Sequence, residues 1–410
     1  MAAPVPRSPV VRSVANLLAA KEIVIACGPG GVGKTTTAAA IAAMTAAREH
    51  GRVLVLTIDP ARRLAEALGL RGIGNVAHRV PDRAFEEAGV RPRGQLWAAM
   101  VDMRESWDAL VRRHAPDPET ARRILANPLY RNIAGRFAQG HEYIAMERLY
   151  ELHSEGDYDL IVVDTPPTRN AIDFLDAPER MGEFFSSRLL RWLTVPYRSR
   201  LVSAASRPFY QIADRILGSQ LLADLAELFI LFQTMHQGFV VRAEAVSRLL
   251  RDIRTTFMVV TTLEPVPARE AQVFVELLRK RHLHLGVLVC NKVLPAYLSH
   301  DAAGAAAAAM RERAAELSDE LAGAVGEATE GGSAERAQVA RVLEEVGASF
   351  ANYQLVARRE AELLAEMAAA HEVTATVPYL ETDITDLAGV LGLGERILGG
   401  GGAGPTGGDR

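Results

Sequence analysis

Residues Gly28 to Thr35 read Gly-Pro-Gly-Gly-Val-Gly-Lys-Thr, the spacing G-x-x-x-x-G-K-[ST]. Glycines at Gly28, Gly30, Gly31 and Gly33 let successive backbone N–H groups, with those of Val32, Lys34, Thr35 and Thr36, turn toward phosphate oxygens. The start of the following helix adds positive potential. Lys34 then reaches the outer phosphates and the Thr35 hydroxyl is placed to ligate Mg²⁺. A bare glycine-rich turn is the competing reading. The apolar run before the motif and the Ala-rich helical run 35–48 after it argue for phosphate binding.

Two carboxylates follow at suggestive places. Asp164 ends the apolar run "LIVVD", where a side chain can hold a Mg²⁺ shell through water. An aspartate ending a strand is common, so it is its position downstream of the loop that gives it meaning. Asp59, in "LTIDPARR", has two readings. It can orient or deprotonate an attacking water, or it can cap the helix that Pro60 begins.

These residues need a frame that brings distant strand ends together. Short apolar, β-branched runs at 22–27, 52–58, 95–101, 159–164, 256–262, 285–290 and 372–377 alternate with helical patterns. Continuous apolar strands of this kind predict a mostly parallel sheet covered by helices on both faces, an α/β architecture. Residues 178–250 contain no strand pattern and read as an inserted helical subdomain, with core segments at 1–177 and 251–299 on either side. Residues 300–370 are Ala- and Glu-rich and read as a helical pair broken at "EGGS" (330–333). The core ends with 371–395, and the glycine-rich 396–410 reads as a flexible tail.

With 410 residues, 49% of them hydrophobic, the chain can bury a large core. A net charge of −4 implies no global attraction to nucleic acid or anionic lipid, and "RKRHLH" around His282 and His284 is too short to argue either nucleic-acid or metal binding. Two cysteines, Cys27 and Cys290, leave no disulfide framework and no CxxC zinc pair. The proline-interrupted N-terminus lacks a signal-peptide pattern and no run spans a bilayer. A cytoplasmic protein, peripheral to membrane only through a partner, is the expectation.

The motifs GGVGKTT, DPA at 59–61, DTPPT at 164–168 and the strand-ending pair Asn291-Lys292 together resemble the ArsA/Get3 family of deviant Walker-A, P-loop NTPase-fold ATPases, over most of residues 20–395. "DTPPTRNAIDFLDAPERM" is similar to bacterial, above all actinobacterial, members. The resemblance implies ATP hydrolysis with Mg²⁺ by a dimer with facing sites. It makes Asp59 the water-activating residue, Asn291 the adenine partner, and "VPYLETDI" from Val377, including Pro378, the segment closing over the base.

One departure bears on rate. The class carries a second lysine after the first loop glycine that reaches the partner's phosphates, and here that place is Pro29, with neither charge nor N–H. A cationic finger is worth ~10³–10⁵ in rate in related NTPases. A heterodimer with a lysine-bearing paralogue is the favoured compensation, and Arg62, Arg63 and Arg169 are candidate replacement cations. Without clustered cysteines neither arsenite stimulation nor a zinc clasp is expected. A hydrophobic protein client or a membrane protein is the candidate partner, and Phe184, Phe185, Trp192, Phe229, Phe232, Met235 and Phe239 are read either as a cargo groove or as core.

Overall fold

The computed structural model describes residues 14–58, 63–70, 72–133, 141–166, 219–325, 332–371 and 373–399. Eight strands form one sheet: β1 (Ile23–Cys27), β2 (Arg52–Thr57), β3 (His78–Arg79), β4 (Gln95–Met100), β5 (Leu160–Asp164), β6 (Thr255–Thr261), β7 (Leu285–Val293) and β8 (Thr374–Pro378). Their order is β3-β4-β2-β5-β1-β6-β7-β8. All pairings are parallel except that of β3 with β4. The seven expected strands are therefore present within a few residues. The two-residue β3 was missed because a stretch that short carries no period to read.

β1 lies centrally because the chain first moves away to β2 on one side, inserts β5 beside β1, and then builds β6, β7 and β8 on the other side. Such a reversal opens a crevice at the carboxyl ends of the strands. The alternation of β1 explains the two cores. Ile23, Ile25 and Cys27 point into one, shared with Trp107, Tyr143, Met235, Phe239 and Phe274 from four helices. Val24 and Ala26 point into the other, shared with the Lys34–Arg48 and Leu387–Leu398 helices.

Beyond β7 the chain leaves the sheet as two helices, Asp301–Glu312 and Ala314–Val325, and returns along the 39-residue helix Gly332–Ala370. Gln354 Nε2 donates to the His300 carbonyl at 3.0 Å, Arg358 reaches Asp301 at 2.5 Å, and Arg336 lies 3.9 Å from Asp319, so the limbs run antiparallel. The expected helical pair is corrected to three helices, with an additional break at Arg313. Its side chain, free of the helix repeat, pairs with Glu316.

Two further expectations change. The Ser219–Arg251 helix, assigned to an inserted subdomain, buries Leu228, Met235 and Phe239 in the main core, and Phe232 packs against the same core. Those residues are core, so an open cargo groove is not built from Met235 or Phe239. Phe184, Phe185 and Trp192, with the side chain of Phe229, lie outside the described residues. The expected tail begins too early, because Ile397 and Leu398 are buried at the end of a helix capped by Asp386, whose carboxylate accepts from Gly389 N at 2.9 Å.

Candidate active site

The loop after β1 is folded by backbone demands that only glycine meets. Gly28 has φ 152°, and a Cβ there would lie 2.0 Å from the Val260 carbonyl oxygen of the neighbouring strand. Gly33 has φ 92° just before the helix, and a Cβ there would meet the Asn291 amide at 2.4 Å. The loop is thus clamped between β6 and β7. Asn291 fastens it by donating from Nδ2 to the Val32 carbonyl at 2.8 Å, while its Oδ1 accepts from the Lys292 N–H at 2.9 Å.

Lys34 is only 7% exposed, and its ammonium donates to the Pro29 carbonyl at 2.8 Å. The loop therefore wraps its own cation. Pro29 itself is buried, and Gly30 is exposed on the loop. Asp164 is fully buried at the end of β5, where Oδ2 accepts from the Thr35 hydroxyl at 2.7 Å and from the Thr57 hydroxyl at 3.0 Å. Thr57 ends β2 and was not anticipated. A threonine ending an apolar run directly before Ile58-Asp59-Pro60 was the one hint in the sequence, and only the structure shows it fully buried.

A cavity of about 610 Å³ opens beside this knot, a volume suited to a cofactor-sized ligand. Gly31, Gly33, Lys34, Thr35 and Thr36 form one wall. Asn291, Lys292, Pro378 and Asp383 stand on another, because β7 and β8 end together: Val293 is in register with Pro378, and Tyr379 N donates to the Val293 carbonyl. Gly28 and Val32 are buried behind the loop and shape it. Asp59, Arg62 and Arg169, with the side chain of Arg63, lie outside the described residues.

Both thiols are buried. Burial pushes the Cys27 thiol up to about 12 and does the same to Cys290. They form no disulfide: Cys27 ends β1 beside the phosphate loop, and Cys290 lies within β7 next to Asn291. Among the described residues no three His, Cys, Asp or Glu side chains converge as a metal cluster, and no helix is long and apolar enough to cross a membrane.

A family model described as anion-transporting ATPase matches residues 21–319. The chain belongs to that family. It is the ArsA/Get3 group that the phosphate loop and the Asp164 strand end resemble, and its eight-stranded sheet is the P-loop NTPase α/β fold. The chain is 30% identical over 270 residues to an uncharacterized protein of Streptomyces coelicolor, covering 65% of this chain and 61% of that one. It is 24% identical to the ATPase GET3 of Malassezia globosa, over 68% of this chain and 75% of that protein. It is 25% identical to a putative arsenical pump-driving ATPase of Aquifex aeolicus, over 65% and 79% respectively. The family match ends within the outgoing limb of the helical arm, so the long return helix lies beyond it.

Proposed function

We propose that this family member binds ATP with Mg²⁺ and hydrolyses it as one subunit of a dimer, coupling nucleotide state to a client or membrane partner. The observation that carries the reading is the knot of Thr35 and Thr57 on buried Asp164, beside the wrapped Lys34, at the carboxyl edge of β1. Mg²⁺ bound with ATP neutralises phosphate charge. Thr35 would hold it directly and Asp164 through water, and the donor set fits, since a hydroxyl and a carboxylate are the hard oxygen ligands that ion takes. Lys34 exchanges the Pro29 carbonyl for phosphate oxygens, and Asp59 orients the attacking water. Asn291 and the Pro378 segment hold the adenine.

The second reading is a weakly catalytic subunit that regulates a lysine-bearing paralogue in a heterodimer. Buried Pro29, which can send no cation across an interface, favours it. Arg62, Arg63 and Arg169 are the cations that would make a homodimer sufficient. Cys27 and Cys290, buried on separate strands, argue against arsenite as the transported species, because metalloid capture needs clustered thiol ligands. The working location is the cytoplasm, with membrane contact only through a partner.

Steady-state ATPase of the purified chain, with Asp59→Asn as control, separates the two readings. Turnover that vanishes in Asp59→Asn supports a self-sufficient subunit. Nucleotide binding without turnover, followed by a rise of ~10³-fold or more on mixing with a lysine-bearing paralogue, supports the heterodimer. No nucleotide binding by the wild-type chain sinks both.

A further inference from the structure

The Gly332–Ala370 helix carries two stripes at heptad spacing. One faces its own arm: Gly347 sits so close to the Ala307 carbonyl that a Cβ would lie 2.6 Å from it, Gln354 bonds to His300, and Ala357 is 5% exposed. The other stripe is displaced by one residue and consists of Val339, Val342, Val346, Ser349, Tyr353 and Val356, in steps of three and four. Its large members are 38, 53, 50, 58 and 47% exposed in chain order, and Ser349 is exposed as well. A 3-4 repeat of apolar residues is the seam of a coiled coil, and a solvated helix face has no reason to keep it.

We propose that this stripe is an interaction surface for a second copy of the chain, paired antiparallel. The stripe is self-complementary about the point between Val346 and Ser349. An antiparallel two-fold there sets Val346 against the partner copy's serine 349, Val342 against its tyrosine 353, and Val339 against its valine 356, so small residues meet at the centre and each larger one meets an apolar neighbour. The flanking positions agree: Gln338 falls beside arginine 359 and Glu345 beside asparagine 352, with no like charges opposed.

The arm is also placed to reach a neighbour. Leu294, just past the end of β7, donates its N–H to Glu360, so Glu360 is level with the carboxyl edge of the sheet. Met367 packs into the core and the chain enters β8 at Thr374, so the helix segment before Glu360 extends the other way. At 1.5 Å per residue it projects roughly 40 Å from the nucleotide-bearing edge. The stripe spans about 26 Å of that length, an interface at the low end of stable sizes, and the pairing is accordingly micromolar. It uses no nucleotide chemistry and stands or falls apart from the proposed ATPase activity.

Sedimentation of the full chain without nucleotide, across roughly the micromolar range, tests the pairing. The wild-type chain is expected to reach dimer mass. Val342→Glu with Val346→Glu is expected to halve that mass while helicity and fluorescent-nucleotide binding stay unchanged, and Leu355→Glu, exposed but off the seam, keeps the dimer. A monomeric wild-type chain overturns the proposal, as does a dimer that survives both seam charges or is lost in Lys34→Ala, which would put the association at the nucleotide face. Orientation has its own readout. Mixed Val346→Cys and Ser349→Cys chains are expected to cross-link faster than either alone, over a low background from the two buried native thiols, and equal rates overturn the antiparallel register.

Discussion

The two helical layers meet the sheet by different means. On one face the Lys34–Arg48 helix buries a run of alanines, and the Leu387–Leu398 helix approaches it so closely that a Cβ on Gly394 would lie 2.5 Å from the Ala40 carbonyl oxygen. Contact there is between backbones. On the other face, long side chains fill the space and a charge network joins three helices: Glu147 accepts from Arg242 Nε at 2.7 Å and Arg113 at 3.4 Å, while Arg113 and Arg148 both bind Glu151. Arg242 lies over the Tyr150 ring at 4.0 Å. The difference teaches that the phosphate loop is mounted on the face with fewest adjustable parts. The opposite face has rotamers and ion pairs that can exchange partners.

Mutation can break that contrast. The largest effect is expected from Glu147→Ala, which leaves the partly buried Arg242 without its carboxylate and should cost about 3 kcal/mol in urea unfolding. The replacement of Glu147, Arg113 and Arg242 together by Met, Leu and Met should cost far less, and if it costs more, the network is not an exchangeable device. Next, Gly394→Val forces the close helix pair apart. A loss of about 1–3 kcal/mol is expected, with weaker nucleotide binding because the same helix begins at Lys34. Unchanged stability would mean that the two helices are not held at backbone contact.

The side-chain face carries a pH dependence. Burial, then Arg242 and Arg113, pushes His114 down to about 4 from its ordinary 6.5, while its ring stacks on Phe239. The folded protein thus keeps His114 neutral where the unfolded chain already takes up a proton. Stability is full above the unfolded value and falls as pH drops from about 6.5 toward 4. His114→Phe should flatten the upper part of this decline in melting temperature between about pH 6.5 and 5, above the main carboxylate range. The smallest effect is expected on the backbone-packed face. Asp386→Ala removes the cap of the Leu387–Leu398 helix and should cost about 1 kcal/mol by urea unfolding.

What could be read from residues alone follows the same division. The strands were legible because both faces of β1, β5 and β6 are buried, giving unbroken apolar runs. Lys34 and Thr35 were legible because a phosphate loop fixes residue type at fixed spacing, Asp164 through its place at a strand end downstream of that loop, and Asn291 through the family resemblance alone. Thr57 escaped because its role depends on which strand lies beside β5, and strand order is not written in local pattern. The break at Arg313 was hidden by a run of alanines and glutamates that suits one helix as well as two. Met235 and Phe239 were readable as an apolar face, either groove or core, and the choice between the two depends on what packs against that face.

The central place of β1 has a consequence for the making of the protein. Ile23 is paired on one side with Ile161 and on the other with Thr255. At a synthesis rate of ~5–20 residues per second, the strand waits roughly 10–50 s for its second neighbour. For the first part of that interval β1 has no strand beside it, and until β6 is made it keeps one unpaired edge, with the phosphate loop attached to it. The phosphate loop is translated before β6 and β7, the two strands that clamp it, and a co-translational helper that shields such strands would act on this chain through most of that interval.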